Sequence, residues 1–203
     1  MLHTTTYTFT TLILAVLMST VLPAQELDYQ LRIVGHTQLV KKGNRVGLAA
    51  WVVFPDVMNE HSLRALLLGG VVYKRERRWI EFMAGGLFSG NEPAGFELDL
   101  RYSDRSLKWI NAFLETEYNF GTRKLFVQPS AAVPVRIARI RAGIGAESDF
   151  VFAPGNRLAV AGPRLVLPLP VCRRFCRDFS LITAYRFQSD GRRVLRQYLA
   201  FTF

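Results

Sequence analysis

The chain has 203 residues, half of them hydrophobic and 21% charged, with a formal net charge of +10. This composition excludes a disordered polypeptide, and the length suits one domain. Mean hydropathy is positive, yet no run of about 18–20 apolar residues beyond the N-terminus writes a transmembrane helix. A basic balance fits nucleic acid, acidic lipid or lipopolysaccharide. The arginines are spread along the chain, so nucleic acid is not the expected partner.

Residues 1–24 contain no Lys, Arg, Asp or Glu, so the net charge lies beyond them. Leu12 to Met18 form an apolar stretch, followed by Ser19, Thr20 and the small Ala24 before Gln25. That pattern predicts a secretory signal peptide over 1–24, cleaved after Ala24, and one domain over 25–203. Ala24 is not followed by Cys, so a lipoprotein anchor is not expected.

The rest of the chain repeats one texture: short segments of alternating polarity separated by turn residues, the signature of strands half exposed to a nonpolar medium. In 29–39, Tyr29, Leu31, Ile33 and Leu39 oppose Gln30, Arg32, His36 and Gln38. Strands are also expected over 45–54, 63–74 and 78–88. In 96–102, Phe96, Leu98, Leu100 and Tyr102 oppose Glu97, Asp99 and Arg101. In 108–118, Ile110, Ala112, Leu114 and Tyr118 oppose Asn111, Glu115 and Glu117. After 123–133, the segment 138–147 sets Ala138, Ile140, Ala142, Ile144 and Ala146 against Arg139, Arg141 and Glu147. A helical period would scatter these charges around the axis, whereas a period of two keeps them together. Strands over 158–169, 179–187 and 192–203 complete the series. Lys42-Gly43-Asn44, Ser103-Asp104-Arg105, Asn119-Phe120-Gly121, Pro154-Gly155-Asn156 and Asp190-Gly191 supply turn chemistry. Pro129, Pro163 and Pro168 interrupt nominal strands, because proline donates nothing to a ladder.

Aromatic residues on the apolar face gather near strand ends: Tyr29, Phe54, Tyr73, Phe88, Phe96, Tyr102, Tyr118, Phe179, Phe187 and Phe203. Aliphatics between aromatic rims match an interfacial girdle, so the apolar face is expected to meet lipid. The opposite face, lining a lumen, carries Arg32, His36, Arg64, Glu81, Glu97, Asp99, Arg101, Glu115, Glu117, Lys124, Arg139, Arg141, Arg164, Arg186 and Arg196. Unpaired, such charges are too costly for a dry interior; closure of the sheet is expected to pair acids on 78–118 with the basic segments around them. The expected fold is a closed, antiparallel, up-and-down transmembrane β-barrel. The segments number eleven, but an even count is the rule for such barrels, so about ten strands are expected, with eight or twelve as alternatives.

The last strand, Arg196-Gln197-Tyr198-Leu199-Ala200-Phe201-Thr202-Phe203, resembles the terminal strand of bacterial outer-membrane β-barrel proteins, which end in Phe with an apolar residue two before it. The resemblance rests on Arg196, Phe201 and Phe203 and departs at Tyr198, where that family often has Gly. It implies an outer-membrane location, contact with outer-membrane lipid and lipopolysaccharide, and recognition of Phe201 and Phe203 by the barrel-assembly machinery.

Some barrels of that kind are lipid A deacylases or acyltransferases using Ser, His and an acid. Glu60-His61-Ser62 has those residue types, but adjacent residues seldom reach the geometry of a nucleophile and its base, so a surface loop is expected there. His36 reads as a paired lumen histidine. Cys172 and Cys176 either close a small turn as a disulfide or remain thiols. Zinc would need two further ligands, and only the distant His36 and His61 remain after cleavage. No metal, cofactor or catalytic residue is therefore expected. The leading functional expectation is a small structural or interaction barrel with a charge-paired lumen. The alternatives are a lipid-modifying enzyme with His61 or His36 as base, a narrow anion pore guided by Arg139 and Arg141, and a soluble lipocalin-like carrier.

Overall fold

A computed structural model describes residues 26–37, 45–55, 57, 64–89, 92–137, 140–169 and 178–203. Eleven strands follow in chain order: β1 Glu26–His36, β2 Arg45–Phe54, β3 Arg64–Arg75, β4 Arg78–Ser89, β5 Glu92–Asp104, β6 Asn111–Asn119, β7 Lys124–Ile137, β8 Ile140–Ala153, β9 Asn156–Pro168, β10 Asp178–Gln188 and β11 Arg193–Thr202. They close into one barrel in which each strand pairs with its sequence neighbour. Ten of the pairings are antiparallel. The eleventh, β1 with β11, is parallel, with Glu26 opposite Val194 and Val34 opposite Thr202.

The count is one more than the ten expected, and the reason is geometric. Every alternating segment in the sequence forms a strand, so an up-and-down chain of odd number brings its first and last strands together pointing the same way. A parallel ladder is only slightly weaker per residue, so closure costs little.

Turn chemistry fixes the hairpins where the chain must enter the left-handed region. Gly155 (φ 73°) and Gly191 (φ 88°) sit in the β8–β9 and β10–β11 turns, where a side chain would be strained. The prolines are accommodated by gaps. Register pairing of β7 with β8 skips from Val127–Phe150 to Ser130–Glu147 around Pro129. That of β9 with β10 skips from Ala184–Arg164 to Phe187–Ala161 around Pro163. Pro168 ends β9.

The period of two runs through the barrel, and its sense is unambiguous. Phe82, Leu100, Leu114, Ile144 and Phe150 are exposed outside, while Glu81, Glu97, Asp99, Arg101, Glu115 and Asp149 are buried inside. One inward sector differs: Val34, Ala49, Trp51, Val53, Leu66, Leu68, Val72 and Met83 form an apolar cluster on β1–β4. The interior is therefore an oily wedge on one side and a field of ions elsewhere. Several outward aromatics lie near strand ends, where Phe179 stacks on Phe201 (4.3 Å) and Tyr118 meets Phe120 edge-on (4.8 Å), while Phe82 lies mid-strand opposite Leu100.

Candidate functional site

The lumen is the site, because strand alternation aims the ionisable residues of eight strands, β1, β4–β6 and β8–β11, at one narrow space. It holds two connected clusters. In the first, Arg101 (β5) has no exposed surface; its Nη2 meets Asp99 Oδ2 and Glu115 Oε1, each at 2.6 Å. Its guanidinium lies 3.7 Å from the ring centroid of Trp51 on β2. The Trp51 indole N–H donates to Glu81 Oε2 at 2.8 Å, and Glu81 Oε1 also contacts His36 Nε2. Arg32 crosses from β1 to β6, where it meets Glu115 Oε2 at 3.2 Å.

The second cluster spans β7 to β11 and β1. Arg186 pairs with Asp149, whose Oδ1 accepts a bond from Gln128 at 2.7 Å. Arg196 binds Asp28 at 2.8 Å and Asp149 at 3.1 Å. Glu147 lies 3.6–3.7 Å from Arg164, Arg186 and Arg196, and Arg164 donates to Ser130. Tyr198 joins the clusters: Arg32 stands 4.5 Å and Arg164 5.8 Å from its ring. Within these two clusters each charge has a neighbour of opposite sign, a polar partner or a π face in place of water, the condition for burying ions.

Of the residues expected in the lumen, Arg32, His36, Glu81, Glu97, Asp99, Arg101, Glu115, Glu117, Arg164, Arg186 and Arg196 come together inside. Lys124 and Arg141 share the inward-facing parity but are exposed near strand ends, as is Arg64. Arg139, Cys172, Cys176, Glu60, His61, Ser62 and the segment 1–24 lie outside the described residues. Sequence reasoning missed Asp28, Asp149, Gln128, Trp51 and Tyr198. Extending the alternation through Glu147 to Asp149, and back from Arg32 through Gln30 to Asp28, would have found the two acids. The aromatic pair carries no charge to mark its face.

The chemistry offered is limited. His36 contacts Glu81, Lys74 (2.8 Å) and the Trp79 ring, and no hydroxyl of the described residues is among these contacts. Arg101, Glu81 and Gln128 have no exposed surface, so side chains fill the barrel at their level. Below, Lys124, Phe126, Asp149, Arg186 and Arg196 line an open vestibule of about 360 Å³. Phe201 faces outward on β11 and Phe203 is exposed at its end. No protein-family model, curated protein or solved structure matches this chain.

Proposed function

We propose that this chain is a small bacterial outer-membrane barrel of structural or interaction type, with a sealed, charge-paired lumen. One observation carries the reading: the strands turn Phe82, Leu100, Ile144 and Phe150 outward and Arg101, Glu81 and Asp149 inward. In water that arrangement has the wrong sign, since it leaves oil wet and desolvates ions. In a bilayer it has the right one. Residues 1–24 serve as the export signal, Phe201 and Phe203 are read by the assembly machinery, and lipid with lipopolysaccharide surrounds the barrel. Among the described residues neither a pore nor a lipid-modifying enzyme gains support, because side chains fill the mid-lumen and no described hydroxyl contacts His36. A soluble carrier would have to wet the outer face.

The test is expression of the full chain in a Gram-negative host, followed by membrane fractionation and gels of boiled and unboiled samples. Recovery in the outer membrane, with migration that shifts on boiling, is expected. Recovery as a soluble periplasmic protein would overturn the proposal.

A further inference from the structure

Charge in the lumen is not evenly balanced. Around the second cluster, Asp28, Glu147 and Asp149 face Arg164, Arg186 and Arg196, three against three. On β4–β6, Glu81, Glu97, Asp99, Glu115 and Glu117 are served by Arg32, Arg101 and the imidazole of His36. Lys74 stands at one rim against His36, and Lys124 is exposed at the other. Among the described residues Glu97 and Glu117 form no ion pair. The ladder also sets Asp99 directly opposite Glu117, a like-charge pairing that ordinarily destabilises a sheet.

Asp99, Glu115 and Glu117 each bring a carboxylate oxygen within 4.8 Å of the others. A second observation points into this cluster. Glu97 is 3% exposed, and its Oε1 accepts from Asn119 at 2.6 Å, but its Oε2 is buried without a donor. It lies two residues before Asp99 on the same inward face of β5, diagonal to Glu117 on β6. Asp99 Oδ1 is likewise buried and without a donor. Burying bare carboxylate oxygens against one another is costly unless a positive charge stands between them.

We propose that Asp99, Glu115 and Glu117, with the buried Glu97 beside them, bind one hard divalent cation of the calcium class inside the barrel. The donors are all oxygen, with no thiolate or imidazole to favour zinc or copper, and carboxylates from two adjacent strands suit the adaptable coordination of calcium. The cation supplies the charge that β4–β6 lacks and ties β5 to β6 beside Arg101. The inference concerns the lumen alone and stands whether or not lipid surrounds the barrel.

Terbium(III) is the probe, added to the full chain folded in detergent micelles and stripped of metal by a chelator. Trp51 stacks on Arg101, which touches Asp99 and Glu115, so excitation of Trp51 should sensitise a bound ion. Sensitised emission is expected to saturate at one ion per barrel and to be displaced by Ca²⁺. Glu117→Gln and Glu97→Gln, each verified as folded by heat-modifiable migration, are expected to weaken binding about tenfold or more. Trp51→Phe should abolish most emission, whereas Trp109→Phe, which alters an exposed loop residue, should leave it. Calcium should also raise the melting temperature of the wild type. The proposal is overturned by non-saturating emission, by binding that Glu117→Gln leaves unchanged, or by emission that tracks Trp109. It is overturned equally if calcium leaves the melting temperature unchanged while Glu117→Gln raises it in chelator, the signature of a shared proton.

Discussion

Replacing Arg101 with Met tests whether the ion field holds the barrel together. Methionine keeps much of the volume and the flexible stem but removes the guanidinium. Two contacts of 2.6 Å, to Asp99 and Glu115, disappear, as does the stack on Trp51. Asp99 would then have no basic side chain in contact, and of the basic side chains Glu115 would keep only Arg32. Because Arg101 has no exposed surface, water cannot replace it without reopening the interior. Removing one partner of a buried ionic cluster costs about 3–5 kcal/mol, and the lost cation–π contact lies within that range rather than on top of it. Urea unfolding in micelles, followed by tryptophan fluorescence, measures the loss. The double variant Arg101→Met/Asp99→Asn should recover part of it, since the orphaned charge goes too. A loss below about 1 kcal/mol would refute the reasoning, as it would place Arg101 among exposed surface pairs.

Three further outcomes follow from the geometry. Leu100→Arg puts a cation on the outer face and should destabilise a lipid-embedded barrel by about 2–4 kcal/mol if Leu100 sits near the bilayer midplane; unchanged or improved stability in liposomes would argue for an aqueous exterior. Gly85→Ala should cost about 1–3 kcal/mol, because its Cβ would lie 1.8 Å from the Leu67 carbonyl oxygen, whereas Gly69→Ala meets nothing within 4 Å and should be mild; equal effects would discount that close approach. In the β10–β11 turn, Asp190 accepts bonds from the Arg192 backbone N–H and guanidinium, which hold its carboxyl below the usual range. A depressed folded-state value stabilises above the unfolded value and loses that contribution as pH falls through the folded one. NMR titration should place Asp190 below an unstructured aspartate, and Asp190→Asn should remove that acid-dependent increment.

The eleven strands were legible because alternation and turn residues recur together. Segments such as Phe96–Tyr102 and Ile110–Tyr118 announce both their faces and their direction. The parity rule alone argued for ten, and it failed because it generalises over barrels whereas the segments themselves are local and physical. Strand limits were less legible. The reading of 138–147 stopped before Asp149, although the alternation continues β8 to Ala153. Within the lumen, which residues face inward could be read from the sequence, but partners could not. Arg32 meets Glu115, 83 positions away, only because closure carries β1 across from β6. The inward apolar wedge of β1–β4 was invisible for a related reason: with both faces nonpolar, Arg45–Phe54 and Ala65–Tyr73 show little alternation to read.

The parallel seam has a consequence for how the ring can be put together and inspected. Five hairpins account for ten strands and leave one without a mate, so the barrel cannot be completed by adding hairpins alone. The described chain also starts at one rim and finishes at the other, with Glu26 at the entrance of β1 and Phe203 past the exit of β11. In a barrel that spans a bilayer as proposed, these two ends open into different compartments, so a label at residue 26 and one at residue 203 should never be reached by the same impermeant reagent from one side.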